Sequence, residues 1–182
     1  PLNHYSSSTA LKLNWFNHVQ NCAEAPGTGH YSLLNGDDFA FGRRPDWAAF
    51  GQNWNGLPID SFMADGGTYR QRRYAAFRLV DGCAERLPHQ AHYQDRSHNA
   101  LNGGIERWFA PIALTVTEGV EFRHVLADTV QRITDREGRA RDVWFVEAHQ
   151  FRILADKGVP GLPTPEGVHR DGRDWVLICL IG

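Results

Sequence analysis

An imidazole and a carboxylate two residues apart, His169 and Asp171 in GVHRDG, stand just before the final apolar stretch WVLICLI. In an extended backbone, residues i and i+2 project from one face, so this pair can reach a single metal ion together. With a third ligand, usually another His, such a pair makes the facial set that leaves positions open at non-haem Fe(II). The tripeptide is also common by chance, and the alternative is a solvated strand end in which Asp171-Gly172 turns the chain.

Other side chains have two readings each. His149, in EAHQFRI, lies on the strand predicted before the motif loop, and Arg152 follows three residues later on the opposite face. If one of these faces lines a cavity, either residue is placed to hydrogen-bond the carboxylate of a substrate or cosubstrate. The alternatives are a hydrogen-bonded core histidine and an Arg paired with Glu147 or another acid. Arg70, Arg72, Arg73 and Arg78 make a dense cationic strand, read mainly as a solvated or salt-bridged outer face, with Arg70 and Arg72 as the pair that could meet an amino-acid carboxylate or an acidic loop from an inner face. Asn99 and Arg107 flank an NGG turn and read as a turn-capping Asn and a structural Arg. His89, His92 and His98 lack a helical HExxH pattern and read as surface-loop histidines. No catalytic nucleophile is assigned, because the chain has no GxSxG elbow, no cysteine motif and no phosphate-cradling glycine pattern.

The elements that must carry these groups follow from periodicity. LKLNWFNHVQNCAEA, residues 11–25, places Leu11, Phe16, Val19 and Ala23 near helical spacing. A helix-biased segment from Asp37 to Leu57 is broken by Pro45, with a second helix beginning near Asp46 and Trp47. TYRQRRYAAFRLVDG alternates as a strand, Asp81-Gly82 marks a turn, and RLPHQAHYQ is the expected return strand. Phe122, Val125, Leu126, Val130 and Ile133 predict a helix between Glu118 and Arg136, ended at Glu137-Gly138. RDVWFVEAHQFRILAD reads as a strand with apolar residues on both faces, and DWVLICLIG as the last strand, which in a jelly roll can be its neighbour. Helices first and strands after predict an α+β fold in which a late sandwich or jelly roll is flanked by earlier helices.

Bulk properties bound the function. At 182 residues and 20.6 kDa, one domain over residues 1–182 is expected, with 1–53 as a helical or irregular N-terminal extension. A net charge of -2 and a pI near 6.5 give no global field that would recruit nucleic acid or anionic lipid. The run VLICLI is far short of the roughly 20 residues that cross a bilayer. Three well-separated cysteines and no recognisable leader point to a reducing cytoplasm. Only two lysines occur against many arginines, which suits bidentate carboxylate recognition, although GC-rich codon usage has the same effect.

PTPEGVHRDGRDWVLICLIG resembles the region around the first metal-binding motif of a bacterial 2-oxoglutarate/Fe(II) dioxygenase family that includes isoleucine 4-hydroxylase and the BsmA-like stress and biofilm proteins. LPIDSFMADGGTYRQRRYAAFRL, HNALNGGIERWFAPI and VEAHQFRI resemble its preceding blocks in the same order, so the likeness spans about Trp54 to Gly182. It implies a double-stranded β-helix (jelly roll, cupin-like) flanked by helices, with His169 and Asp171 holding Fe(II), 2-oxoglutarate as cosubstrate, and O2. The implied activity is hydroxylation of a small substrate, a free aliphatic L-amino acid, with no nucleic-acid or membrane partner. The family's third ligand, a distal His, and its 2-oxoglutarate-binding Arg lie downstream of the HxD strand, so the C-terminal part of the jelly roll is expected to be missing from this chain. The rival reading is a non-catalytic cupin-like small-molecule-binding protein of stress or biofilm response. A homodimer is considered as one way to bury exposed strand edges.

Overall fold

The computed structural model describes residues 9–17, 46–156, 158, 161–165, 167 and 171–181. Strict alternation in RQRRYAAFRLV makes the strand β2 (Arg70–Val80), with Arg70, Arg72, Tyr74 and Ala76 on one face and Ala75, Phe77 and Leu79 on the other. Asp81 (φ 50°) and Gly82 (φ 77°) are both left-handed, as a two-residue hairpin turn requires, and reverse the chain into β3 (Cys83–Arg86). Strand β6 (Val143–Ile153) runs antiparallel to β2 along its whole length. Parallel to β6 lies β1 (Thr9–Asn17), and parallel to β1 lies β7 (Trp175–Ile181), giving a five-stranded sheet in the order β3-β2-β6-β1-β7. Strands β4 (His92–Tyr93) and β5 (Glu106–Arg107) form a separate two-stranded ladder.

One face of the sheet carries the apolar core. Ala75, Phe77, Leu79, Trp144, Val146 and Ala148 pack against Phe122, Val125, Leu126 and Ile133 of α3 (Val120–Glu137), which follows the short α2 (Leu114–Thr117). Phe50 and Trp54 complete the layer from α1 (Trp47–Gly51) and a following 3-10 turn (Gln52–Trp54). Asp46 caps α1 by accepting the Ala49 N–H at 2.8 Å. Gly138 ends α3 in the left-handed conformation (φ 68°) and donates its N–H to the Thr134 carbonyl.

The α+β class, β2, α3, β6 and β7 agree with the periodicity of their segments. Other expectations are corrected. Residues 9–17 are a strand, not the start of a helix: LKLN also has a two-residue period, and pairing with both β6 and β7 satisfies its backbone on each side. Residues 18–25 and 37–45 of the expected helices lie outside the described residues. The partner of β2 is Cys83–Arg86 rather than RLPHQAHYQ, whose Pro88 has no N–H to continue the ladder after Leu87. The order is not helices then strands, since β1 comes first and α3 falls between β5 and β6. Nor are β6 and β7 neighbours, because β1 lies between them.

The two faces differ in what they can lose. Phe122 is 2% exposed and its ring lies 5.2 Å from Phe77, whereas Ile178 on β7 is 60% exposed. Phe122→Ala is expected to lower the unfolding free energy by about 3–5 kcal/mol and Ile178→Ala by about 0.5 kcal/mol or less, as read from urea titration.

Candidate functional site

Across β2 and β6 the opposite face of the sheet is polar yet buried, whereas on β7 it presents the exposed Val176, Ile178 and Leu180. Antiparallel register sets Tyr74 beside His149 and Arg72 beside Phe151, while the parallel register of β1 sets Lys12 beside Glu147. The first half of β2, which β3 does not reach, is edged by loops: Asp60 N–H bonds the Arg70 carbonyl, Arg72 N–H bonds Pro58, and Tyr74 N–H bonds Ala110. These loops bring Asp60 and Phe109 over the face, and the β4–β5 ladder brings His92 and Arg107.

Arg70 Nε donates to Asp60 Oδ2 at 2.8 Å, and Arg72 Nη1 lies 3.6 Å from the same oxygen, so two guanidiniums share one carboxylate. The Arg72 guanidinium lies 3.7 Å from the ring centre of Phe109 and 4.5 Å from that of Phe151. Its Nη2 donates to His149 Nδ1 at 2.7 Å, and Arg107 Nη2 donates to His92 Nδ1 at 2.9 Å. Glu147 accepts from Arg173 Nε at 2.6 Å and from the Tyr74 hydroxyl at 3.3 Å, with His92 Nε2 at 3.9 Å. Asp171 accepts from Lys12 Nζ at 2.6 Å.

Burial without water controls the protonation states. Burial first, and then the Arg72 charge, hold both His92 and His149 well below the usual histidine range, so both rings are neutral. Burial, followed by repulsion from Arg70, lowers Arg72 to about 9, which leaves it charged at neutral pH. Burial and the Glu147 charge push the Tyr74 hydroxyl up, so it stays a donor. Burial also lowers Lys12 against the opposing pull of Asp171.

His92, Glu147 and His149 offer ligand atoms within 4.8 Å of one another, the composition of a two-histidine, one-carboxylate metal set. Their hydrogen bonds argue against that use. A guanidinium only donates, so Nδ1 of each ring spends its lone pair on an arginine, and the proton of each neutral ring sits on Nε2. Neither imidazole then has a lone pair for a cation unless Arg72 and Arg107 withdraw. Asp171 is a partly buried carboxylate paired with the Lys12 ammonium at 2.6 Å.

Residues 51–182 match the family model described as 2OG-Fe dioxygenase. The chain belongs to the 2OG-Fe dioxygenase family. Its members use Fe(II), 2-oxoglutarate and O2 and have a jelly-roll-like fold. Among solved structures, a BsmA homolog from Methylobium petroleophilum PM1 matches with a TM-score of 0.61 and 35% identity, over 69% of this chain and 50% of that one. The chain thus spans half the length of that relative. No curated protein matches. No helix among the described residues is long and apolar enough to cross a membrane.

Of the residues singled out from the sequence, His149 lies at the centre of the buried face and Asp171 beside it through Lys12. His169 lies outside the described residues. Arg152 projects toward the helical layer, where Nη1 lies 3.5 Å from Asn55 Oδ1, and is not brought to the cluster. His92 is not a surface histidine but 3% exposed, whereas His89 and His98 are exposed as expected. Arg70 and Arg72 are buried rather than solvated, while Arg78 is exposed. Glu147 pairs with Arg173, not Arg152. The parity of β2 and β6 marks which residues share a face, but only the long-range register identifies that face as a site.

Two buried neutral histidines make stability fall with acid. The unfolded imidazoles take up protons as pH drops through about 6.5, while the folded ones resist, so each contributes a loss of up to about 1.4 kcal/mol per pH unit below that value. Carboxylates whose acidity is raised, such as Asp95 and Glu137, act only at lower pH. Urea titrations between pH 7 and 5 are expected to show this decline, and His92→Gln or His149→Gln to flatten it. A pH-independent midpoint in the parent protein would count against neutral rings.

Proposed function

We propose that this protein is an Fe(II)/2-oxoglutarate-dependent dioxygenase that hydroxylates a small substrate, a free aliphatic L-amino acid, in the cytoplasm. His169 and Asp171 are two of the metal ligands in this reading, and His149 is among the groups that meet the small acid. The observation that carries it is the position of Asp171: its carboxylate is bonded to Lys12, the strand partner of Glu147, and Arg173 two residues later bonds Glu147 itself. The carboxylate of the HxD pair therefore opens onto the buried face that holds Arg72, Tyr74 and His149.

Fe(II) bound with 2-oxoglutarate and O2 supplies oxidative decarboxylation coupled to hydroxylation of an unactivated C–H bond. The chain's own contribution is binding and orientation. Arg70, Arg72 and Arg107 give the face a positive lining that suits carboxylates, and the aromatic rings of Phe109 and Phe151 keep water from it. The BsmA-like and isoleucine 4-hydroxylase likeness of the four sequence blocks supports the amino-acid substrate class.

The test is succinate formation by the full-length protein with Fe(II), 2-oxoglutarate, ascorbate and a panel of aliphatic L-amino acids. Amino-acid-dependent succinate is expected, and Asp171→Ala or His169→Ala should lower both iron retention and turnover by at least about 100-fold, since each removes a ligand. No succinate with any amino acid, together with unchanged iron content in both variants, contradicts the proposal.

A further inference from the structure

Strand β1 delivers a cation to the carboxylate of the HxD pair. Lys12, one of two lysines in the chain, is 9% exposed, and its Nζ donates to Asp171 Oδ1 at 2.6 Å. Lysine is seldom buried to this extent. The backbone fixes the meeting: β1 pairs with β6 along Thr9–Asn17 and with β7 along Leu11–Asn17, which sets Lys12 between Glu147 and Val176. Strands β6 and β7 lie inside residues 51–182, the segment matched to the family model, and β1 lies before it. A strand from outside that segment is therefore wedged between two strands within it, with its ammonium on Asp171.

The neighbouring groups do not need Lys12. Glu147 is already held by Arg173 at 2.6 Å and by the Tyr74 hydroxyl at 3.3 Å. The chain around Asp171 is pinned without it: Arg173 is tied to Glu147, and Gly172, left-handed at φ 66°, lies so close under the His98 ring that a Cβ there would stand 2.6 Å from Cδ2. Asp171 thus stays in place whichever cation it meets. An ammonium is a compact point charge, and at 2.6 Å it neutralises the carboxylate and repels a second cation through a poorly solvated space. One carboxylate cannot serve Lys12 and a divalent ion equally well.

We propose that β1 is an inhibitory strap: Lys12 holds the Asp171 carboxylate in place of a divalent cation, and metal loading requires its ammonium to leave. This deepens the proposed function as regulation of the same site, and rests on its reading of Asp171 as a metal ligand. The competition runs both ways, because the factor by which Lys12 weakens the metal is the factor by which the metal weakens the anchorage of β1.

The experiment titrates Mn(II) alone into the metal-free, full-length protein and reads free Mn(II) by electron paramagnetic resonance. Lys12→Met keeps the length and apolar stem without the charge, and should bind Mn(II) about tenfold or more tightly than the parent, because it leaves Asp171 uncompensated for the metal to neutralise. A folding defect only weakens binding, so the gain is specific to a lost competitor. Asp171→Asn should weaken binding by about tenfold or more. In the parent protein, saturating Mn(II) should speed deuterium exchange of the amides of residues 9–17 by about threefold or more, a readout that needs no variant. The strap is overturned, and the ligand reading kept, if Asp171→Asn weakens binding while a Lys12→Met protein with the parent's far-UV circular dichroism binds within about twofold of the parent or more weakly. Exchange in residues 9–17 that is unchanged or slowed by Mn(II) overturns the strap as well. Unchanged affinity in Asp171→Asn refutes the ligand reading itself, and the strap with it.

Discussion

Arg72 and His149 are joined by a 2.7 Å hydrogen bond on a face of the sheet closed to water. A guanidinium beside an imidazole is unfavourable if both are charged. Burial resolves the conflict by keeping the ring neutral and the arginine protonated. Once the ring is neutral, the direction of the hydrogen bond fixes its tautomer, and the tautomer fixes what His149 can bind. The same logic is repeated at His92 by Arg107. The polar face is therefore a set of aimed donors, and Glu147 and Asp60 are the internal acceptors that let so many cations be buried together.

The rest of the fold serves to hold that face. Antiparallel β2 and β6 place Arg72, Tyr74, Glu147 and His149 on one side, while Phe77, Leu79, Trp144 and Val146 on the other side are anchored by α3. Loops along the free edge of β2 supply Asp60 and Phe109, and the short β4–β5 ladder supplies His92 and Arg107. Membership of the 2OG-Fe dioxygenase family gives this arrangement a chemical setting, over half the length of the BsmA homolog it matches.

Segments whose periodicity agrees with their environment were legible from the chain. In α3, residues at three and four apart face the core, and Gly138 stops the helix in the left-handed conformation that favours glycine. In β2, alternation and Asp81-Gly82 specified the strand and its turn. Residues 9–17 were not legible as a strand, because their pairing partners lie more than a hundred residues away. The site divides in the same way. Asp171 and His149 stand out by local motif and strand position. The burial of His92 and Arg72 depends on register between distant strands, and a cationic run such as RQRR looks solvated until Asp60 and two phenylalanine rings are placed around it.

Locating the metal directly separates the two donor sets that this chain contains. Anomalous diffraction from crystals of the full-length protein grown with Mn(II) should place one ion within coordination distance of the Asp171 carboxylate and the His169 imidazole, with Arg72 and Arg107 still bonded to His149 and His92. An ion among His92, Glu147 and His149, with the two arginines withdrawn from Nδ1, would contradict the account.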